Sequence, residues 1–204
     1  MVDQALLNLL GDNIGKPLTA ELAEDILLLS LPRPAPIDLS QFEPESFDGV
    51  TFAPERMSDV IEEMRALHEA HWLETEMYRH SQSLEFDYPS VCMSEAVGKY
   101  LLITVRDESG RLVGNCACRI FNSTHTQRRV ASEDTFFLLP EARRGRRAVQ
   151  LFRYAERCVR ALGAQEVRVT VKVGNDVSKL WERIGYQRAG IELVRVFQEA
   201  PHVQ

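Results

Sequence analysis

The sequence predicts a mixed α/β domain of the α+β kind, in which a largely antiparallel sheet precedes one strand–helix–strand crossover. Three patterns carry this prediction. Tyr100–Val105 and Arg111–Ile120 are strand-like apolar runs joined by the hairpin turn Asp107–Gly110. Arg143–Leu162 repeats apolar residues at the spacing of one helix face. Glu166–Val173 then alternates apolar and polar residues, as a half-buried strand does.

Residues 1–40 are predicted to form a helical extension that ends in a proline-rich linker. A short helix ends with Leu6–Leu10, and Thr19 is placed to cap a second helix. The prolines in Pro32–Pro36 stop that helix. The acidic stretch Asp38–Gly49 then indicates a linker before the main domain.

The main domain is predicted over residues 50–197. Its first long helix follows from Val60, Met64 and Leu67, which share one helix face. The other predicted elements are a strand at Val50–Phe52, helices at Pro54–Glu69 and Ala70–Ser83, a loop at Glu85–Ser90, a turn at Asn122–Gln127, a strand at Arg129–Leu139, a helix at Val177–Ile184, and closing strands at Gly185–Gly190 and Ile191–Phe197.

Composition predicts a soluble protein of a reducing compartment. The 204 residues are 45% hydrophobic, and no apolar run reaches the roughly 20 residues that span a bilayer. The first residues lack the basic start and long apolar core of a signal peptide. The four cysteines lack the spacing of a disulfide framework or a zinc site, and Cys116 and Cys118 should share one buried strand face. We therefore expect a cytoplasmic protein without a metal.

Charge is divided unevenly along the chain. Residues 1–100 hold 6 Lys and Arg against 19 Asp and Glu, whereas residues 101–204 hold 18 against 11. This division favours a cationic partner near the first half and a phosphorylated ligand near the second.

The segment around Gly145 has the form of a phosphate-binding turn. A strand ends at Pro140, an arginine-rich turn follows, and a helix begins at once. The first turn of a helix offers unpaired N–H groups and the positive end of the helix dipole, so a pyrophosphate fits there. Taken alone, the same residues also fit an amphipathic helix with a solvated basic face.

This turn resembles the acyl-CoA-binding motif of the GNAT acetyltransferases, Gln/Arg-x-x-Gly-x-Gly/Ala, with Arg143 first and Ala148 last. Gly145 lies one place early and Arg146 takes the usual glycine position. That variant is similar to phage and prophage members of the superfamily.

A second resemblance to the same family lies downstream. Asn175 precedes an apolar helix that ends in Ile184-Gly185-Tyr186, which is similar to the family's Leu-Gly-Phe. The likeness covers about Val50–Phe197 and is firmest over Asp134–Tyr186. It implies a GNAT-like fold with the helical extension at its N-terminus.

The resemblance implies an N-acetyltransferase that moves the acetyl group of acetyl-CoA to a primary amine by direct attack. It also implies that the strand Arg129–Leu139 splays away from Glu166–Val173 and opens a slot for the pantetheine arm. The residues that it assigns to acetyl-CoA are Phe137, Leu138, Leu139, Arg143, Arg144, Gly145, Arg146, Arg147, Ala148 and Asn175.

An attacking amine must lose a proton, and a nearby base assists that step. The resemblance implies a carboxylate early on the strand beside the slot, where Glu133 and Asp134 should face opposite sides. Asp134 is the preferred base and Glu133 the alternative, and a surface role for both stays open. Trp181 stands where the family often has a tyrosine that protonates the leaving thiolate.

In the family, the first helices line the acceptor pocket. The residues predicted there to bind a cationic amine, by charge and cation–π contact, are His71, Trp72, Glu74 and Tyr78. A solvated polar face would also explain each of them.

Two other functions stay open: a degenerate fold that binds acyl-CoA without turnover, and nucleic-acid binding by Arg143–Arg160, which the acidic net charge of −6 disfavours. Nucleic acid as an acceptor and a homodimer also stay open.

Overall fold

The computed structural model describes residues 4–30, 34–75 and 83–195. They fall into two compact units, Met1–Val169 and Thr170–Gln204. The first unit contains helices α1 (Gln4–Asp12), α2 (Ala20–Ser30), α3 (Met57–Thr75), α4 (Tyr88–Ala96) and α5 (Arg147–Ala161), and strands β1 (Glu45–Phe47), β2 (Val50–Glu55), β3 (Tyr100–Asp107), β4 (Leu112–Asn122), β5 (Arg129–Leu138) and β6 (Glu166–Arg168). The second unit contains a 3-10 turn (Val173–Asn175) and helix α6 (Ser178–Arg183).

The six strands form one sheet in the order β1-β2-β3-β4-β5-β6. Neighbouring strands are antiparallel except for β5 and β6, which are parallel. The predicted hairpin between β3 and β4 is confirmed, and Asp107 donates its N–H to the carbonyl of Arg111 at 3.0 Å. The predicted mixed sheet with a single crossover, through α5, is therefore confirmed.

Helices cover both faces of this sheet, because side chains alternate along each strand. Phe137 joins the apolar core under α3 and α4, whereas the ring of Phe136 lies 5.6 Å from that of Phe152 on α5. Cys116 and Cys118 are both buried, as predicted for one strand face. The core under α3 and α4 comprises Met57, Val60, Met64, Leu67, Tyr88, Val91, Tyr100, Leu102, Leu112, Ala117 and Phe137.

An ionic network fixes α3 against the sheet. Arg106 on β3 binds Glu55 on β2, with Nε 2.8 Å from Oε1, and Glu63 on α3, with Nη1 2.8 Å from Oε2. The hydrogen bonds from Arg106 lower the pKa of Glu63. Burial raises the pKa of Glu55, but Arg106 and Thr104 together bring it below its usual value. Because a planar guanidinium can serve two carboxylates at once, one residue links three elements.

Helix α3 is one continuous helix, so the predicted division at Glu69 is wrong. It begins at Met57 because Pro54 still belongs to β2, where it pairs with Ile103. Proline is tolerated at that position because β1 pairs only with the first half of β2, and no ladder bond is lost. Residues 76–82 of the second predicted helix lie outside the described residues.

The predicted loop at Glu85–Ser90 contains the start of a helix, α4, that the sequence reasoning missed. Asp87 caps it by accepting the N–H of Ser90 at 3.0 Å, and Pro89 lies in its first turn. Proline is compatible with a first turn, since the N–H it lacks would be unpaired there.

Four further predictions were wrong. The stretch predicted as an acidic linker contains β1, joined to β2 by Asp48 and Gly49, whose φ angles are 49° and 75°. The strand predicted over Glu166–Val173 ends at Arg168 as β6, and α5 begins at Arg147 rather than Arg143. Among the described residues from 185 to 195, no closing strand is formed.

Helices α1 and α2 contact each other and bury none of their residues. Thr19 caps α2 as predicted, accepting the N–H of Leu22 at 3.1 Å. The chain joins the packed domain by Ile37, which is 6% exposed and whose carbonyl accepts from Arg56. No helix within the described ranges is long and apolar enough to cross a membrane.

Glu95 on α4 anchors the N-terminus of α3 and offers a test of this packing. Its carboxylate accepts the N–H of Met57 at 3.0 Å, and the side chain is buried. Glu95→Ala should lower the free energy of unfolding by about 1–3 kcal/mol, because a buried N–H loses its acceptor. Chemical denaturation measures this, and Glu95→Gln, which keeps one acceptor, should cost less. An Ala variant as stable as the parent would contradict the anchoring role.

Candidate active site

Strand β5 diverges from β6 after a short stretch of pairing. The two strands pair only from Val130 with Glu166 to Ser132 with Arg168, although β5 continues to Leu138. On its other side β5 stays paired with β4, through Gly114 opposite Leu138. Among the described residues no strand pairs with the second half of β5 on this side, so the open edge predicted there is present.

Alternation along β5 decides which backbone groups face that open edge. Leu139 donates its N–H to the carbonyl of Val113 at 2.8 Å, so it faces β4. Because neighbouring residues of a strand point their backbone groups to opposite sides, Leu138 and Phe136 face away from β4. Of the three residues predicted to pair with the pantetheine arm, Leu138 has the required direction. Phe136 shares this direction and was missed.

Close approach of β4 to this part of β5 depends on a glycine. A Cβ atom on Gly114 would lie 2.7 Å from the carbonyl oxygen of Phe137 and would also clash with the side chain of Leu138. The absence of a side chain at Gly114 therefore sets the position of the backbone at Leu138.

The turn after β5 leads into the N-terminus of α5. A 3-10 turn at Pro140–Ala142 is followed by Gly145, whose φ of +56° is accessible to glycine at little cost. Among the described residues no side chain caps α5. The N–H groups of Ala148 and Val149 in the first turn therefore remain available for an anion. Helix N-termini commonly bind anions through such groups.

The arginines of this turn divide by burial. Arg147 is 3% exposed, and its guanidinium donates to the carbonyls of Asp48 and Ala142 and lies 3.3 Å from the Asp48 carboxylate. The side chain of Arg147, predicted to bind CoA, is thus buried and bound to groups of the protein itself. Arg144 and Arg146 are exposed and form no ion pair within the described residues.

Arg143 makes contacts on both sides of the turn. Its Nε donates to the carbonyl oxygen of Leu138 at 2.7 Å, and its Nη2 lies 2.6 Å from Oε2 of Glu74 on α3. The guanidinium also lies over the ring of Phe137, 5.1 Å from the ring centroid. The side chain predicted to bind phosphate is therefore paired with Glu74, which was predicted to bind the acceptor.

Three of the predicted acceptor residues, His71, Trp72 and Glu74, lie in the last described turns of α3. The ring of His71 stacks on Phe137 with centroids 4.9 Å apart, and Trp72 is half-buried. Tyr78 lies outside the described residues. The structure thus brings His71 and Glu74 to the end of β5, beside the turn.

His68 is a buried histidine on the same helix, outside the set predicted to bind the acceptor. Its Nδ1 lies 3.1 Å from the hydroxyl of Tyr88, and its Nε2 has no partner among the described residues. Burial, with a smaller contribution from His71, lowers its pKa to about 4, whereas Asp134 opposes that shift. The imidazole is therefore neutral at physiological pH.

Asp134 and Glu133 face opposite sides of the sheet, as predicted. Asp134 is the extra residue of a β-bulge, since Thr135 pairs with Ala117 and Glu133 with Cys118. Its carboxylate accepts the hydroxyl of Tyr100 at 2.9 Å.

A second donor, Nε of Arg119, lies 2.9 Å from the other oxygen of Asp134. The Asp134 side chain is 18% exposed. On the opposite face, the neighbouring Cys118 and burial raise the pKa of the Cys116 thiol, and the charge of Glu133 adds a smaller contribution. Asp134 is therefore the carboxylate on the face that carries His68 and His71.

Helix α6 of the second unit forms within the range predicted for it. Trp181 lies on α6, and its ring meets that of Tyr186 edge-on, with centroids 5.6 Å apart. Asn175 ends the 3-10 turn before this helix. Within the described parts of the chain, no cluster of three His, Cys, Asp or Glu could hold a metal ion.

Comparison with known proteins relates this geometry to a family. The sequence model described as "Acetyltransferase (GNAT) family" matches residues 58–186. No curated protein sequence matches the chain.

Several solved structures share the fold. A putative acetyltransferase from Pyrococcus furiosus has 18% identity and a TM-score of 0.57, over 72% of this chain and 99% of its own. A ribosomal-protein-alanine N-acetyltransferase from Brucella melitensis has 17% identity and a TM-score of 0.56, over 74% and 100%. AAC(6')-Iy in complex with the bisubstrate analogue CoA-S-monomethyl-acetylneamine has 15% identity and a TM-score of 0.56, over 74% and 99%.

The division of the arginines is testable by stability. Arg147→Gln should lower the free energy of unfolding by about 2 kcal/mol, because the carbonyl groups of Asp48 and Ala142 lose a buried donor. Arg144→Gln removes the same charge from an exposed site and should change stability by no more than about 0.5 kcal/mol. If urea denaturation showed the same loss of unfolding free energy for Arg147→Gln and Arg144→Gln, the structural role of Arg147 would be contradicted.

Proposed function

The chain belongs to the acetyltransferase (GNAT) family, and on that premise we propose that it transfers the acetyl group of acetyl-CoA to a primary amine by direct attack. Members of the family use acetyl-CoA. The observation that carries the proposal is the unpaired edge of β5, which leads into the turn at Gly145 and the uncapped N-terminus of α5.

Acetyl-CoA would bind along that edge. The amides of the pantetheine arm pair with backbone groups of β5 that face away from β4, among which Leu138 lies nearest the turn. The pyrophosphate sits at the first turn of α5, where N–H groups and the helix dipole favour negative charge. Arg144 and Arg146 are exposed on the same turn and add positive charge.

The N–H of Leu138 would stabilise the oxyanion that forms when the amine attacks the thioester. A backbone donor held by a strand is already oriented, so no reorganisation is needed in the transition state. Pairing of β5 with β4, and the absence of a side chain at Gly114, hold this donor in place.

Asp134 would accept the proton of the attacking amine, directly or through a water molecule. The hydroxyl of Tyr100 and the guanidinium of Arg119 fix its carboxylate on the face that carries His68 and His71. A carboxylate oxygen can accept more than one hydrogen bond, so acceptor capacity remains. Glu133 faces the other side and is the weaker alternative.

The acceptor would be a cationic primary amine. Two structural relatives are described by their acceptors, a ribosomal-protein alanine and, in the bisubstrate analogue, neamine; both present amines. In this chain His71, Trp72 and Glu74 lie on the helix beside the end of β5, where aromatic rings and a carboxylate favour a cation. Tyr78 stays a predicted member of this set.

Trp181 favours a second candidate function, a domain that binds acyl-CoA without turnover. An indole cannot donate a proton to the leaving thiolate as the family's tyrosine does. The thiol of CoA, with a pKa near roughly 8.5, is nevertheless a tolerable leaving group without an acid. Detection of acetylated amine by mass spectrometry, in a screen of amine acceptors, separates the two functions.

Binding of acetyl-CoA to the turn can be tested by calorimetry. Arg144→Gln and Arg146→Gln should each weaken binding by about 1 kcal/mol, the scale of a charge-assisted phosphate contact. Arg153→Gln removes an exposed charge from the outer part of α5 and serves as the control. Equal affinities of the three variants for acetyl-CoA would mean that the pyrophosphate does not bind at this turn.

The base can be tested by turnover at saturating amine. Asp134→Asn keeps the shape of the side chain but removes the proton acceptor, so the rate should fall by about 10²-fold. Raising the pH should partly restore it, because more of the free amine is then already deprotonated. Normal turnover of Asp134→Asn and Glu133→Gln across about pH 6 to 9 would exclude both carboxylates.

A further inference from the structure

Glu74 places a carboxylate beside the turn that follows β5. It lies on α3, close to the side chain of Arg143. A carboxylate attracts a positive group held next to it, so a cation is favoured at this position.

Arg143 supplies that positive group. Its Nη2 lies 2.6 Å from Oε2 of Glu74, and the guanidinium makes a cation–π contact with the ring of Phe137. The ring of His71 stacks on Phe137 in turn. The cation thus lies among the residues proposed to receive the ammonium group of the acceptor.

The same guanidinium also binds the proposed donor slot. Nε of Arg143 donates to the carbonyl oxygen of Leu138, which faces the open edge of β5. Because a guanidinium is a rigid planar fork, Glu74 lies within about 8 Å of that carbonyl. An amine bound at Glu74 would therefore be close to a thioester held at Leu138.

We propose that Arg143 is an internal substitute for the acceptor's ammonium group at Glu74, and that acetyl-CoA displaces it. The inference rests on the proposed function. The pantetheine arm donates a hydrogen bond to the carbonyl of Leu138 in place of Arg143, which then turns towards the phosphates. Glu74 thereby becomes free to bind a cationic amine. Binding of donor and acceptor is thereby coupled through one ion pair.

The exposure of the pair suits such an exchange. The side chains of Arg143 and Glu74 are 38% and 35% exposed, and ion pairs that reach water contribute little to stability. The buried guanidinium of Arg147 is held by carbonyl groups and by Asp48, and is not suited to move. Exchange of Arg143 between partners therefore leaves the fold intact.

A double-mutant cycle on acetyl-CoA affinity tests the coupling without knowledge of the acceptor. Glu74→Gln should tighten acetyl-CoA binding about two- to fivefold, because Arg143 loses one of its anchors. Glu69→Gln removes the same charge from an exposed position of α3 and should have no comparable effect. In the Arg143→Gln background, Glu74→Gln should no longer tighten binding, since the anchored cation is absent.

A generic amine tests the acceptor part. Propylammonium at about 0.1 M should raise the affinity of the parent for acetyl-CoA relative to sodium at the same ionic strength, and should not do so in Arg143→Gln. Equal affinities of parent and Glu74→Gln, or tightening that persists without Arg143, would overturn the coupling. No response to propylammonium would overturn the substitution at Glu74. Failure of every variant to bind acetyl-CoA would instead refute the proposed function on which both depend.

Discussion

The divergence of β5 from β6 is the constraint on which the rest of the site depends. A parallel pair that stays in register would satisfy the backbone groups of both strands, and no ligand could enter between them. Here pairing ends at Ser132 with Arg168, while β4 and α3 still hold the remainder of β5 in place. A strand edge is thus exposed without loss of the strand's position, and a ligand with amide groups can supply the missing partners.

Positive charge is distributed around that edge according to burial. Arg106 and Arg147 are held by carboxylates and carbonyls and stabilise the packing of the first unit. Arg144 and Arg146 are exposed at the uncapped end of α5. Arg143 is intermediate, because it bridges the β5 edge and α3 through partners that water also reaches. Arginine therefore serves the fold at Arg106 and Arg147, and in our proposal it also serves the ligand at Arg144 and Arg146.

Sequence reasoning predicted the elements whose signals are local. The β3–β4 hairpin, β5 and α5 follow from alternation, helical period and turn residues. It missed β1, although Asp48-Gly49 is a strong hairpin signal, because the acidic composition around it indicated a linker. It could not predict the burial of Arg147, whose partner Asp48 lies 99 positions away. The contacts between Arg143 and Glu74, 69 positions apart, and between Asp134 and Tyr100, 34 positions apart, likewise depend on packing that a single sequence does not specify.

The central claim is that acetyl-CoA pairs with the β5 edge, and amide hydrogen exchange at single-residue resolution tests it most directly. On addition of acetyl-CoA, the N–H of Leu138 should become more protected, because the ligand supplies an acceptor on the open side. The N–H of Leu139 already donates to Val113, so its exchange should change much less. Protection at neither residue, or equal protection at both, would contradict binding along this edge.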